Sequence, residues 1–188
     1  MKARSRHPSS PSLKDIFGEQ QHAPEERSID DIVLAMCALL QRRVVNIRAE
    51  LRTKLSAPVR VKVGSGELEH VILNLVSNAL DILDEARVDQ PLIQVSTRIS
   101  GHEAILRVQD NGPGVSPKIR AQLFDLFAST RRDDLGLGLW LSRHIVERQG
   151  GQISLDERES GTGASFTVRL NMVEPSLPPD QASPYLAR

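Results

Sequence analysis

A single cysteine, one tryptophan and one tyrosine stand among 188 residues, and aromatic side chains make up only 3% of the chain. One thiol builds neither a disulfide framework nor a cysteine metal cluster. Cys37 sits in an apolar helical pattern and reads as a buried, inert thiol. With so few rings, a core has to be assembled from Leu, Ile, Val and Ala, and a hydrophobic content of 39% suffices for one. Neither sign of charge is in excess, since 24 Lys and Arg balance 24 Asp and Glu. No bulk field therefore favours nucleic acid or an anionic membrane. No apolar run approaches the ~18 residues of a membrane span. The basic start "MKARSRHPSSPSLKD" is followed by no apolar segment, which argues against a secretory signal. These absences leave a cytoplasmic protein with one domain and some tail.

The tails are compositional. Residues 1–27, rich in Ser, Pro, Gln and charge, read as a flexible lead-in, and 174–188 ("EPSLPPDQASPYLAR") as a disordered, Pro-rich tail. Between them, 28–173 carries mixed periodicities. Ser28-Ile-Asp-Asp31 resembles a capping box, and Ile32, Val33, Met36, Leu39, Leu40 and Val44 follow at helical spacing. "AELRTKLS" and "VRVKV" alternate as two strands around Pro58. Glu67 to about Glu85 is a helix with Leu68, Val71, Ile72, Leu75, Val76, Ala79 and Leu83 on its apolar side. "LIQVSTRIS" and "AILRVQD" are strands joined at Gly101. A helix starts near Ser116-Pro117, and another runs from Leu139 to Gln149, stopped by Gly150-Gly151. "QISLD" and "ASFTVRL" close the chain as strands. The last four strands come as two hairpin-like pairs. The expected fold is therefore α+β, a two-layer sandwich of a mixed, mostly antiparallel sheet with helices on one face.

Four stretches carry candidate chemistry. On the helix "ELEHVILNLVSNALDILDEA", Asn74 and Asn78 are four apart and share a face, with His70 and Asp81 near the same stripe. A solvent-facing side would explain one such Asn. Two are poor helix formers, and a carboxamide oxygen is a neutral hard ligand that suits magnesium. In "VQDNGPG", period two aims Asp110 where Leu106 and Val108 point. A buried carboxylate needs a partner, and Gly112 and Gly114 let the backbone pass close to a flat ligand; alone, the stretch is as readily a plain turn. In "LGLGLWLSRHIVERQGG", Gly136 and Gly138 open a helix, presenting free N–H groups and the positive dipole end to a phosphate. "GTGASF" on its own is an ordinary turn.

Taken together and in this order, the stretches resemble the ATP-binding catalytic domain of two-component sensor histidine kinases. That domain belongs to the superfamily that includes gyrase, the ninety-kilodalton chaperone and mismatch-repair ATPases. The resemblance covers about residues 28–171, with "HVILNLVSNALD" as its N box and "DNGPG", "LGLGL" and "GTG" as its three glycine boxes. It implies a Bergerat ATP-binding fold. It also implies that Asp110 takes the adenine amino group, that Asn78 coordinates magnesium and that Asn74 is its supporting neighbour. Gly112 and Gly114 would line the nucleotide, with Thr162 behind the adenine. The segment from about Leu126 to Leu135 would be a lid, contributing Thr130 and Arg131. Gly136, Leu137, Gly138 and Leu139 would meet the phosphates, and His70 and Asp81 would assist. Asn74, Asn78 and Arg131 would be the catalytic set, and ATP and magnesium the cofactors.

Position 74 also discriminates. The superfamily's ATPases and anti-sigma serine kinases typically carry a Glu there as general base, and Asn74 cannot take a proton. Hydrolysis is therefore disfavoured relative to transfer to histidine, whose neutral imidazole already offers a lone pair. Two departures bear on affinity. Asp134 stands where the second glycine box usually begins with glycine, and Leu126 replaces the lid's usual proline, with Arg131 or Arg132 in place of its lysine. No histidine matches the family's phosphoacceptor: of His7, His22, His70, His102 and His144, only His102 precedes an acid, and it falls in a strand–strand turn. The implied partners are a histidine-bearing dimerisation domain, upstream or on another chain, with "LKDIFGEQQ" as its last remnant, and a response regulator. A degenerate nucleotide-binding regulatory module is the alternative.

Overall fold

The computed structural model describes residues 23–57, 59–126, 136–156 and 163–173. Strand β1 (Glu25–Ser28) leads into helix α1 (Ile29–Asn46), followed by β2 (Glu50–Lys54), β3 (Arg60–Val63) and helix α2 (Glu67–Glu85). The hairpin β4 (Leu92–Ser100) and β5 (Glu103–Asp110) precedes the short helix α3 (Pro117–Arg120). Helix α4 (Gly138–Arg148), β6 (Gln152–Leu155) and β7 (Ser165–Asn171) complete the order.

Five strands form one sheet in the order β2-β4-β5-β7-β6, parallel between β2 and β4 and antiparallel elsewhere. Register fixes which residues share a face. Val95, Val108 and Phe166 lie abreast, as do Thr97, Leu106 and Val168, and all of them are buried. The alternate residues, Ser96, Arg107 and Thr167, form the second face. There Arg107 donates to Thr167 and pairs with Asp156 at 3.2 Å. Thr167 is buried beneath this polar lattice, while the Arg107 side chain stays partly exposed above it.

The helices cover the first face. Leu68, Val71, Ile72, Leu75, Val76, Ala79, Leu80 and Leu83 of α2 are all buried, a wider stripe than one helix side because α1 and α4 pack beside it as well as the sheet. Each Leu, Ile or Val so buried contributes roughly 1.5–3 kcal/mol. The Ser28 hydroxyl caps α1 by accepting from the Asp31 amide at 3.3 Å, as the capping pattern leads one to expect. Helix α4 ends in a Schellman motif: Gly150 at φ +72 donates to Glu147, and Gly151 donates to Val146.

Three details depart from the sequence reading. Glu25–Ser28, whose first three residues fall in the lead-in, is a strand paired antiparallel with β3. Its four residues, "EERS", carry no apolar alternation that would reveal it. The two strands flanking Pro58 separate: β2 joins the main sheet, while β3 pairs with β1. Leu39 is 65% exposed, because it lies about 100° around the helix from the buried Leu40.

Candidate functional site

Strand β5 ends at Asp110, and parity aims that carboxylate into the core face, where it is 7% exposed. Its Oδ1 accepts from the Gly112 amide at 2.8 Å and from the Ala164 amide at 3.2 Å. The Asp110 amide donates in turn to the Ala164 carbonyl. Two glycine-bearing turns, 54 residues apart, are thus joined through one side chain. A β-carbon on Gly114 would come within 3.0 Å of the Gly163 carbonyl oxygen, and both glycines sit at positive φ. The Asp110 turn is thus anchored to the turn before β7.

Asn111 secures its other side. The Asn111 carboxamide accepts from the Leu92 amide at 2.8 Å and donates to the Gln90 carbonyl at 3.0 Å. This ties the turn to the loop that leaves α2. The sequence shows Asn111 only as part of a stretch that reads as readily as a plain turn.

Asn74 and Asn78 lie half-buried on one side of α2. The Asn74 Nδ2 donates to the buried Ser142 Oγ at 2.9 Å. Gly138 lies so near that an added β-carbon would stand 2.3 Å from Asn74 Oδ1. Asn74 therefore belongs to an interface between α2 and α4, and not to a solvent face. Leu137 occupies the N-cap of α4, and its side chain makes no capping hydrogen bond. Leu139 packs against the core. Phe124, at the end of the segment after α3, meets Phe166 of β7 edge to face at 6.2 Å.

Other expected residues lie elsewhere. Asp81 makes an ion pair with Arg43 of α1, on the flank of α2 that faces that helix. His70 is exposed one turn before Asn74. Thr130, Arg131, Arg132, Asp134 and Leu135, most of the expected lid, lie outside the described residues, as does Thr162. Ser142, and Gly163 as the partner of the Asp110 turn, were not singled out from sequence. The signal for Ser142 was available in its four-residue spacing from Gly138.

Among the described residues no group of three or more His, Cys, Asp or Glu could hold a metal ion. The donor set of α2 is of another kind: neutral carboxamide oxygens, which suit a magnesium ion that keeps waters and phosphate oxygens as its other ligands. Among the described residues no helix is long and apolar enough to cross a membrane.

Residues 64–174 match the family described as histidine kinase-, DNA gyrase B- and HSP90-like ATPases. The C4-dicarboxylate transport sensor protein DctB of Rhizobium meliloti is 33% identical over 82% of this chain and 24% of its own length. The catalytic domain of histidine kinase ThkA shares the fold, with a TM-score of 0.69 at 22% identity over 79% of this chain and 95% of that domain. Full-length ShkA, solved in complex with AMPPNP, has a TM-score of 0.70 at 24% identity over 82% of this chain and 32% of its own. This chain spans about a quarter of the length of the curated relatives it matches. Its glycine turns, its paired asparagines and the matches agree: the chain belongs to the histidine kinase-, DNA gyrase B- and HSP90-like ATPase family, with the ATP-binding catalytic domain of a sensor histidine kinase.

Proposed function

We propose that this domain binds ATP with magnesium and transfers its γ-phosphoryl group to a histidine of a dimerisation domain, from which a response regulator receives it. The observation that carries the reading is the convergence on Asp110, a carboxylate held at the core face by the Gly112 and Ala164 amides. Rigidly held in this way, Asp110 takes the adenine amino group, and Gly112 and Gly114 flank the base. The first turn of α4, from Leu137 and Gly138 onwards, offers N–H groups to the phosphates, with Gly136 just before it. Asn78 holds magnesium, which when bound neutralises charge on the phosphate oxygens. Thr130 and Arg131 of the lid close over the γ-phosphate, and Thr162 backs the base.

In the transfer, an imidazole nitrogen forms a bond to the γ-phosphorus as the bridging P–O bond breaks. ADP leaves with that electron pair. Asn74 offers no carboxylate to activate water, which favours transfer over hydrolysis. The domain acts from the cytoplasm, where ATP and the response regulator are found. ThkA, solved in complex with the response regulator TrrA, supports the last partner by analogy of fold.

The test supplies the 188-residue chain with a histidine-bearing dimerisation hairpin from a relative and γ-labelled ATP. Acid-labile, base-stable label on the hairpin is expected. ATP binding without any labelling would point instead to a regulatory nucleotide-binding module, and steady phosphate release without hairpin to an ATPase.

A further inference from the structure

Ser142 takes no part in the reading above, yet it is 0% exposed in the middle of α4. Alanine would be the better helix former there, and a buried hydroxyl is costly without a partner. Its partner is Asn74, whose Nδ2 donates to the Ser142 Oγ across 68 residues of sequence. Gly138 lies one turn earlier on the same face of α4 and closes on the other end of that carboxamide. Any β-carbon at position 138 would collide with Asn74 Oδ1. One side chain of α2 is therefore gripped by two residues of α4, at the turn where that helix begins.

We infer that Asn74 latches the first turn of α4 to α2, and that Ser142 is the positioning residue that holds the latch. The inference rests on the nucleotide-binding reading. The latch sets the α4 amides at a fixed separation from Asn78, one turn beyond Asn74 on α2. Phosphates and their cation need both elements at once, whereas the adenine end is held by Asp110 and the Gly163 turn. Removing the Ser142 hydroxyl leaves Asn74 free to change rotamer and the start of α4 free to drift, with no phosphate-binding group deleted. Recognition of the phosphates should suffer and recognition of the base should not.

Calorimetric titration of the full chain with magnesium-ATP and with adenosine separates these effects. Ser142→Ala is expected to weaken magnesium-ATP about tenfold, the loss of one buried hydrogen bond, and to leave adenosine affinity unchanged. In an Asn74→Ala background the same change should cost nothing further. Should Ser142→Ala fold poorly, Ser142→Cys, a weaker acceptor of similar size, is expected to fall between it and the wild type. Unchanged ATP affinity in Ser142→Ala, an equal loss for ATP and adenosine, or an additive loss in the double variant would each overturn the latch. A wild-type chain that binds neither ligand would overturn the nucleotide-binding reading itself, and the latch with it.

Discussion

The main-chain oxygen of Asp110 lies 1.9 Å from where a β-carbon on Gly163 would stand. Gly163 also adopts φ +84, a conformation that L side chains rarely take. Both facts say that the two turns touch through bare backbone. Gly163→Ala is therefore expected to force the turns apart and to cost at least ~2 kcal/mol of stability. Denaturant unfolding checks this, with a lower midpoint at unchanged slope as the expected result.

A second buried contact joins α1 to the sheet. The Thr97 hydroxyl donates to Asp30 Oδ1 at 2.5 Å and accepts from the Ser56 amide, while Asp30 Oδ2 accepts from the Ala57 amide. Thr97 itself is 2% exposed. Thr97→Val keeps the shape but strands the Ser56 amide and one Asp30 oxygen. A loss of about 1–3 kcal/mol is expected, read as a fall in Tm, with nucleotide affinity unaltered because Thr97 sits four residues along β4 from Ile93, the register partner of Asp110.

Cys37 is buried, and burial pushes its thiol above the ordinary range. Two measurements follow. At mildly alkaline pH a thiol reagent should label the folded chain far more slowly than the unfolded one. The linkage has a definite sign: as pH rises past the ordinary thiol range, unfolded Cys37 loses its proton before folded Cys37 does. Its contribution to stability is therefore present in full below that range and is lost above it. Cys37→Ala should show a shallower decline over the same window, measured by denaturation at a series of pH values.

Much of this fold is written in local periodicity. The stripe of α2 and the alternation of β4 appear in the sequence because each buries one continuous set of residues against the core. Strand β1 does not, since a short strand paired only with β3 buries little apolar surface. The separation of β2 from β3 is also invisible locally, because pairing is a long-range choice. At the site, parity was enough to aim Asp110 inwards and spacing enough to pair Asn74 with Asn78. What spacing could not tell was what those side chains meet: Ser142 beside Asn74, the Ala164 amide at Asp110, and Arg43 on Asp81. Those are contacts between elements far apart in the chain, and only the packed fold brings them together.

Asp110 is the proposed seat of the adenine. In Asp110→Asn, a carboxamide that keeps its oxygen on the Gly112 and Ala164 amides presents an N–H where the second carboxylate oxygen stands, donor against donor with an adenine amine. Calorimetric titration of magnesium-ATP into the wild type and Asp110→Asn, with Tm recorded for both apo proteins, tests this most directly. The ATP complex of Asp110→Asn is expected to be about ten- to hundredfold weaker, with little change in Tm. A lowered Tm with ATP affinity unchanged would contradict it.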